Sequence, residues 1–151
     1  MTEIRRIADQ LKRSLEGEAW HGPALRELLA DVTPRQAAAK PLAGAHSIWE
    51  IVLHIIGSGG LVCERLEGKP RVFSPEEDWP PVIDTSDEAW RAALQALTDV
   101  HQKLQRLLLS VPENRLDEPI VKGASSIYVT LQGIVQHNIY HAGQIAVLKK
   151  G

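Results

Sequence analysis

One cysteine, one methionine and one phenylalanine occur in 151 residues, and aromatic residues make up only 5%. A single thiol forms no internal disulfide, which excludes a disulfide-stapled scaffold. The shortage of aromatics leaves a core of Leu, Ile, Val and Ala, suited to packed helices rather than to a β-sandwich. An excess of one charge is also missing. Lys and Arg number 17 against 19 Asp and Glu, a net charge of −2, and no basic tract is present to neutralise a row of phosphates. Nucleic acid is therefore not an expected partner. The longest apolar stretch, Ile51 to Val62, is interrupted by His54, Ser58 and three glycines, well short of the roughly 20 residues that a membrane span needs. The opening MTEIRRIADQLKR carries charges in a helical pattern and has no apolar signal-peptide segment, so the expected location is the cytoplasm.

The remaining balance, 44% hydrophobic and 24% charged residues, is that of a soluble globular chain, and the length fits a single domain over residues 1–151. Apolar residues recur every three or four positions in four stretches. Ile4, Ile7, Ala8, Leu11 and Leu15 place a helix over about 3–16, and Leu25, Leu28 and Leu29 resume it beyond Gly17 and Gly22-Pro23, as a kinked continuation. A loop follows over 31–44, with room for one turn at Ala37 to Ala39. Ile48, Ile51, Val52, Ile55, Val62 and Leu66 form a second helix that starts at His46-Ser47 and ends before Gly68. Residues 69–85 hold four prolines and an acidic cluster, a connection long enough to be functional and to cover one mouth of a bundle. Ser86 caps a third helix running from Trp90 to near Ser110, and Ser125-Ser126 start a fourth that carries Ile127, Leu131, Ile134, Ile145 and Leu148. The fold class is all-α, a four-helix bundle with long interhelical loops.

Chemistry enters through histidine. His137 and His141 lie 40° apart on the last helix at 100° per residue, on the face shared with Ile134, Ile145 and Leu148. His54 lies beside the apolar stripe of the second helix. Neutral imidazole is the commonest metal ligand, an i, i+4 pair offers two adjacent coordination positions, and three protein ligands leave one open for water or substrate. Inward histidines also occur as hydrogen-bonded core residues. A bound cation, however, satisfies three buried imidazoles at once. Asn138, Ile139 and Tyr140 stand between the pair, so the HExxH arrangement of zinc peptidases is absent.

Three stretches, AWHGPALRELL at 19–29, HSIWEIVLHI at 46–55 and LQGIVQHNIYHAGQIAVLKK at 131–150, in this order and spacing, resemble the DinB/YfiT-like superfamily of metal-dependent enzymes. The resemblance covers nearly the whole chain. It implies a four-helix bundle in which His54, His137 and His141 bind a divalent transition metal, Zn or Ni foremost. It further implies a thiol-dependent S-transferase or isomerase: a low-molecular-weight thiol, its pKa lowered by the metal, is directed at a small electrophilic substrate. Relatives often pair, so a homodimer is expected. The run Gly57-Ser58-Gly59-Gly60 departs from the bulky residues that relatives place there, and implies a widened pocket or the close packing of a partner backbone.

Other residues are weaker candidates. His21, after Trp20 at the first-helix break, is a candidate catalytic proton donor or further ligand, against a surface histidine at a kink. Glu50, one turn before His54, is a candidate to hold that imidazole's other nitrogen. His46 reads as a helix-start residue and His101 as solvated. Of Tyr140 and Asn138, which flank the pair, at least one serves packing. Trp49, Trp79 and Trp90 read as core or loop anchors, and Cys63, about 180° from His54 on its helix, as a small core or interface residue. Three functions follow from these readings: a thiol transferase, another metal-assisted activity such as hydrolysis, and a non-enzymatic metal-binding bundle.

Overall fold

The computed structural model describes all residues 1–151 as seven α-helices without a strand: α1 (Glu3–Glu16), α2 (Leu25–Leu29), α3 (Pro34–Ala38), α4 (Ile48–Leu66), α5 (Pro75–Asp78), α6 (Asp87–Leu109) and α7 (Ile127–Leu148). The chain is all-α as expected, with four long helices and three short ones in place of four alone. The long helices close a ring in which α4 packs on α6 and α7, and α1 packs on the same two. Local sequence sets their starts. The hydroxyls of Ser47, Ser74, Ser86 and Ser126 each accept the backbone N–H three residues on, satisfying a donor that the first helical turn leaves free.

The expected kinked first helix is two helices. Glu18 sits at φ 57° and Gly17 at φ 146°, backbone that no α-helix passes through, and α2 restarts where the Glu27 carboxylate accepts the N–H of Ala24 at 2.8 Å. The single turn expected near Ala37 is α3, with the Thr33 hydroxyl accepting from Gln36 N–H. Segment 69–85, although too rich in proline for a long helix, folds one turn as α5. Arg71 fixes it by pairing with Glu64 on α4 and with Glu77. The space beside Gly57 belongs to this same segment. A Cβ at Gly57 would meet the Phe73 ring at 3.6 Å and the Glu77 carbonyl at 3.7 Å, and one at Gly59 would meet Val100 at 3.3 Å. The chain's own α5 region and α6 thus lie against Gly57 and Gly59, whereas a Cβ at Gly60 would meet nothing within 4 Å.

The core is in two parts. One cluster joins Leu25, Leu28, Ile48, Val52, Ile55, Leu97 and Ile145, and the other joins Ile7, Leu11, Val62, Leu104, Leu108, Leu131 and Ile134. Cys63 belongs to the second cluster, and burial pushes its thiol up to about 11, which leaves it inert at neutral pH. Trp49 and Trp90 belong to the first. The Trp90 indole donates to the Val32 carbonyl at 3.0 Å and so ties the turn after α2 to α6. The buried polar side chains His54, His141, Ser14, His101 and Asn138 come from the long helices at the level where one apolar cluster gives way to the other.

Candidate metal centre

The mid-bundle layer brings together the three histidines singled out by spacing. His54 from α4 and His137 and His141 from α7 form one group of potential metal ligands, with the donor atoms within 4.8 Å of one another. His54 is 7% exposed and His141 4%. The Nε2 atoms of His54 and His137 are 2.9 Å apart, and those of His137 and His141 3.2 Å. Three nitrogens each about 2.05 Å from one tetrahedral ion stand about 3.3 Å apart, so two of the three edges of the group already have close to the required spacing.

The far side of each ring decides which nitrogen faces inward. His54 Nδ1–H donates to the Asp78 carbonyl at 2.7 Å, with the Asp78 carboxylate at 3.2 Å. His141 Nδ1–H donates to Gln144 Oε1 at 2.6 Å. Both rings are thereby held in the tautomer whose Nε2 presents a bare lone pair to the centre. His137 Nε2 carries at most one hydrogen and satisfies only one of these two neighbours, whereas a cation satisfies both and His137 together. The donor set therefore fits a divalent transition metal: three neutral nitrogens converge, and two are oriented from behind. His137 Nδ1 is buried without a partner, which makes this the least supported of the three rings.

Burial depresses the affinity of the two α7 rings for protons. Desolvation, reinforced by the neighbouring His141 and His54, lowers the His137 pKa to about 4, and desolvation lowers that of His141 as well. The deprotonated form is the one a metal takes.

The segment between α4 and α6 supplies the support of His54. Besides the Asp78 carbonyl, the Trp79 ring stacks on His54 with centroids 3.9 Å apart and planes 3° off parallel, and its other face stacks on His46 at 3.7 Å. Trp79 is thus a loop anchor as expected, set against a ligand. Glu50 does not fill the role expected of it. Its carboxylate accepts Ser47 N–H at 2.7 Å and pairs with Lys40 at 3.0 Å, because the start of α4 claims it as a capping box. His46 stands before that cap and is exposed.

His21 lies exposed in the turn between α1 and α2 and takes no part in the histidine group. His101, expected in solvent, is 4% exposed. Leu97, Leu104 and Leu108 define the buried seam of α6, and His101 falls in line with them one turn after Leu97. Its Nδ1–H donates to the Leu97 carbonyl at 2.9 Å. Of the two residues flanking the pair, Asn138 is wholly buried and Tyr140 is 65% exposed. Asp78 and Gln144 escaped the sequence reading. Gln144 is one turn after His141 on the same helix, a spacing that signals contact, whereas nothing in the sequence pairs Asp78 with His54.

The family model of the DinB superfamily matches residues 19–145 of the chain. No curated protein and no solved structure matches it.

Proposed function

The chain belongs to the DinB superfamily, and from that premise we propose that His54, His137 and His141 hold one divalent transition metal, Zn or Ni, in an enzyme transferring a low-molecular-weight thiol to a small electrophile. The observation that carries the reading is the convergence of three Nε2 atoms, two of them turned inward by bonds behind the ring. When bound, such an ion supplies Lewis acidity and lowers the pKa of a thiol or water in its open position. The residues do the rest. Asp78 and Gln144 fix the tautomers, Trp79 holds the His54 plane, and burial keeps His137 and His141 deprotonated at neutral pH.

Pairing of two copies belongs to the same proposal. Its support is the outer face of α7, which lacks charged side chains and exposes Val129, Tyr140 and Val147. Sedimentation of the wild type beside Tyr140→Glu/Val147→Glu tests it, the variant sedimenting as a monomer.

The primary experiment is elemental analysis of untagged protein, purified without chelator, alongside His54→Ala, His137→Ala and His141→Ala. About one equivalent of metal in the wild type and none in the variants is expected. Turnover of electrophiles with and without added thiol then separates transfer from hydrolysis. Metal-free wild type that gains no thermal stability from Zn or Ni would refute the metal centre. Turnover that is independent of thiol would refute the transferase.

A further inference from the structure

α7 presents two polar faces to the bundle. His137 and His141 face α4. Asn138, about 80° around the helix from the midpoint of that pair at 100° per residue, meets α1 and α6 instead. Its amide Nδ2 reaches Ser14 Oγ on α1 at 3.1 Å and His101 Nε2 on α6 at 2.9 Å. All three residues are nearly inaccessible, at 1% exposure for Ser14, 4% for His101 and none for Asn138.

Backbone carbonyls dictate the direction of every bond in this trio. Ser14 Oγ–H is spent on the Leu11 carbonyl at 2.7 Å, so toward Asn138 the oxygen is an acceptor. His101 Nδ1–H is spent on the Leu97 carbonyl at 2.9 Å, so Nε2 is an acceptor too. Burial lowers the His101 pKa and keeps the ring neutral. Only a planar NH₂ group, with two hydrogens diverging from one nitrogen, answers both acceptors at once. The orientation of Asn138 is therefore set by α1 and α6. Its Oδ1 is left buried without a partner, a cost that an apolar residue in this position would not carry.

A buried polar group retained at such a cost has its best-attested use in fixing register. The geometry points to Ser14, Asn138 and His101 as a positioning clamp. By pinning α7 to α1 and α6 at the residue between the two ligands, it fixes the rotation that aims His137 and His141 Nε2 at His54. Turning α7 by one residue would break both bonds of Asn138 and carry both imidazoles about 100° away. The clamp rests on the metal reading above, but none of its members is a ligand.

The test is Co(II) titration, followed by visible absorption, of metal-stripped wild type, Asn138→Leu, Ser14→Ala and the control Ile134→Val, with thermal melts of each apo protein. Ile134 lies on α7 in the apolar core one turn before Asn138, and its truncation to Val lowers stability while leaving both hydrogen bonds of Asn138 in place. The expected result is cobalt affinity reduced roughly 10–100-fold in Asn138→Leu, the range for groups that orient ligands from behind, with an altered absorption band. Ser14→Ala, milder and able to carry the test if Asn138→Leu fails to fold, shows a severalfold loss, while Ile134→Val melts lower with affinity within twofold of wild type. Cobalt affinity within twofold of wild type in Ser14→Ala and in any folded Asn138→Leu, whatever their melting temperatures, would overturn the clamp and leave the metal centre standing. Wild type that binds no cobalt would overturn both.

Discussion

Acidification of the metal-free protein tests the burial of the histidine layer directly. His137 titrates near 4 in the folded chain, against about 6.5 when unfolded. A folded-state pKa below the unfolded value means that the unfolded chain binds the extra proton. The corresponding stability is therefore fully present above pH 6.5 and is lost as pH falls toward 4. Complete protonation of the unfolded ring against a neutral folded one costs about 1.4 kcal/mol per pH unit, which amounts to roughly 1.5 kcal/mol from His137 between pH 6.5 and 5. For a chain of this size that lowers Tm by about 3–6 °C. His141 and His101 shift in the same direction and steepen the profile. The assay is urea denaturation of chelator-treated protein from pH 7.5 to 5, a window that stays above most carboxylate titration, run in parallel on His137→Leu. The variant should lose less stability than wild type across that window, by the His137 share. Superimposable profiles would refute the claim that this imidazole is held neutral by its surroundings.

Zinc at 100 times its dissociation constant should add about 2.7 kcal/mol to the folded state, raising the wild-type Tm by roughly 5–10 °C and leaving His54→Ala unmoved in the same thermal melt. Asp78→Asn should weaken zinc binding by less than tenfold in a competition titration, because the closer acceptor for His54 is the Asp78 backbone carbonyl, which survives the change. Trp79→Ala removes the ring stacked on His54 and should cost more than Asp78→Asn in the same titration. Gly57→Ala should stabilise by about 0.5–1 kcal/mol, since helix-interior glycine is unfavourable and the added methyl makes ordinary contact with Phe73, whereas Gly59→Ala gains less, being tight against Val100. Urea midpoints of the two variants give the comparison.

Periodicity made the long helices legible, and serine caps marked three of their starts, because both signals are local. The histidine group was legible for the same reason on α7, where one helical turn joins His137 to His141, and on α4 through the stripe that His54 borders. The misreadings have separate physical causes. Glu50 stands one turn from His54, yet the cap at Ser47 takes its carboxylate. His101 reads as solvated beside Val100, whereas the buried seam of α6 runs through Leu97, Leu104 and Leu108 and includes it. Asp78 and Trp79 reach His54 across a proline-rich connection whose path no periodicity predicts. His21 carries a motif resemblance, but the break at Gly17 and Glu18 leaves it in an exposed turn.

The division of the apolar interior into two clusters has a mechanical meaning. Each half of the bundle has its own dry packing, and the two are joined across a storey of imidazoles, an amide and a hydroxyl whose bonds are few and directional. Such a storey is the natural plane of flexure. A bend of the long helices at that level would disturb less apolar packing than a bend elsewhere, which would pry side chains out of close contact. Native-state hydrogen exchange of the metal-free protein should then resolve two protected blocks, residues near Ile55 and Leu97 in one and residues near Leu104 and Leu131 in the other, and added zinc should merge their opening.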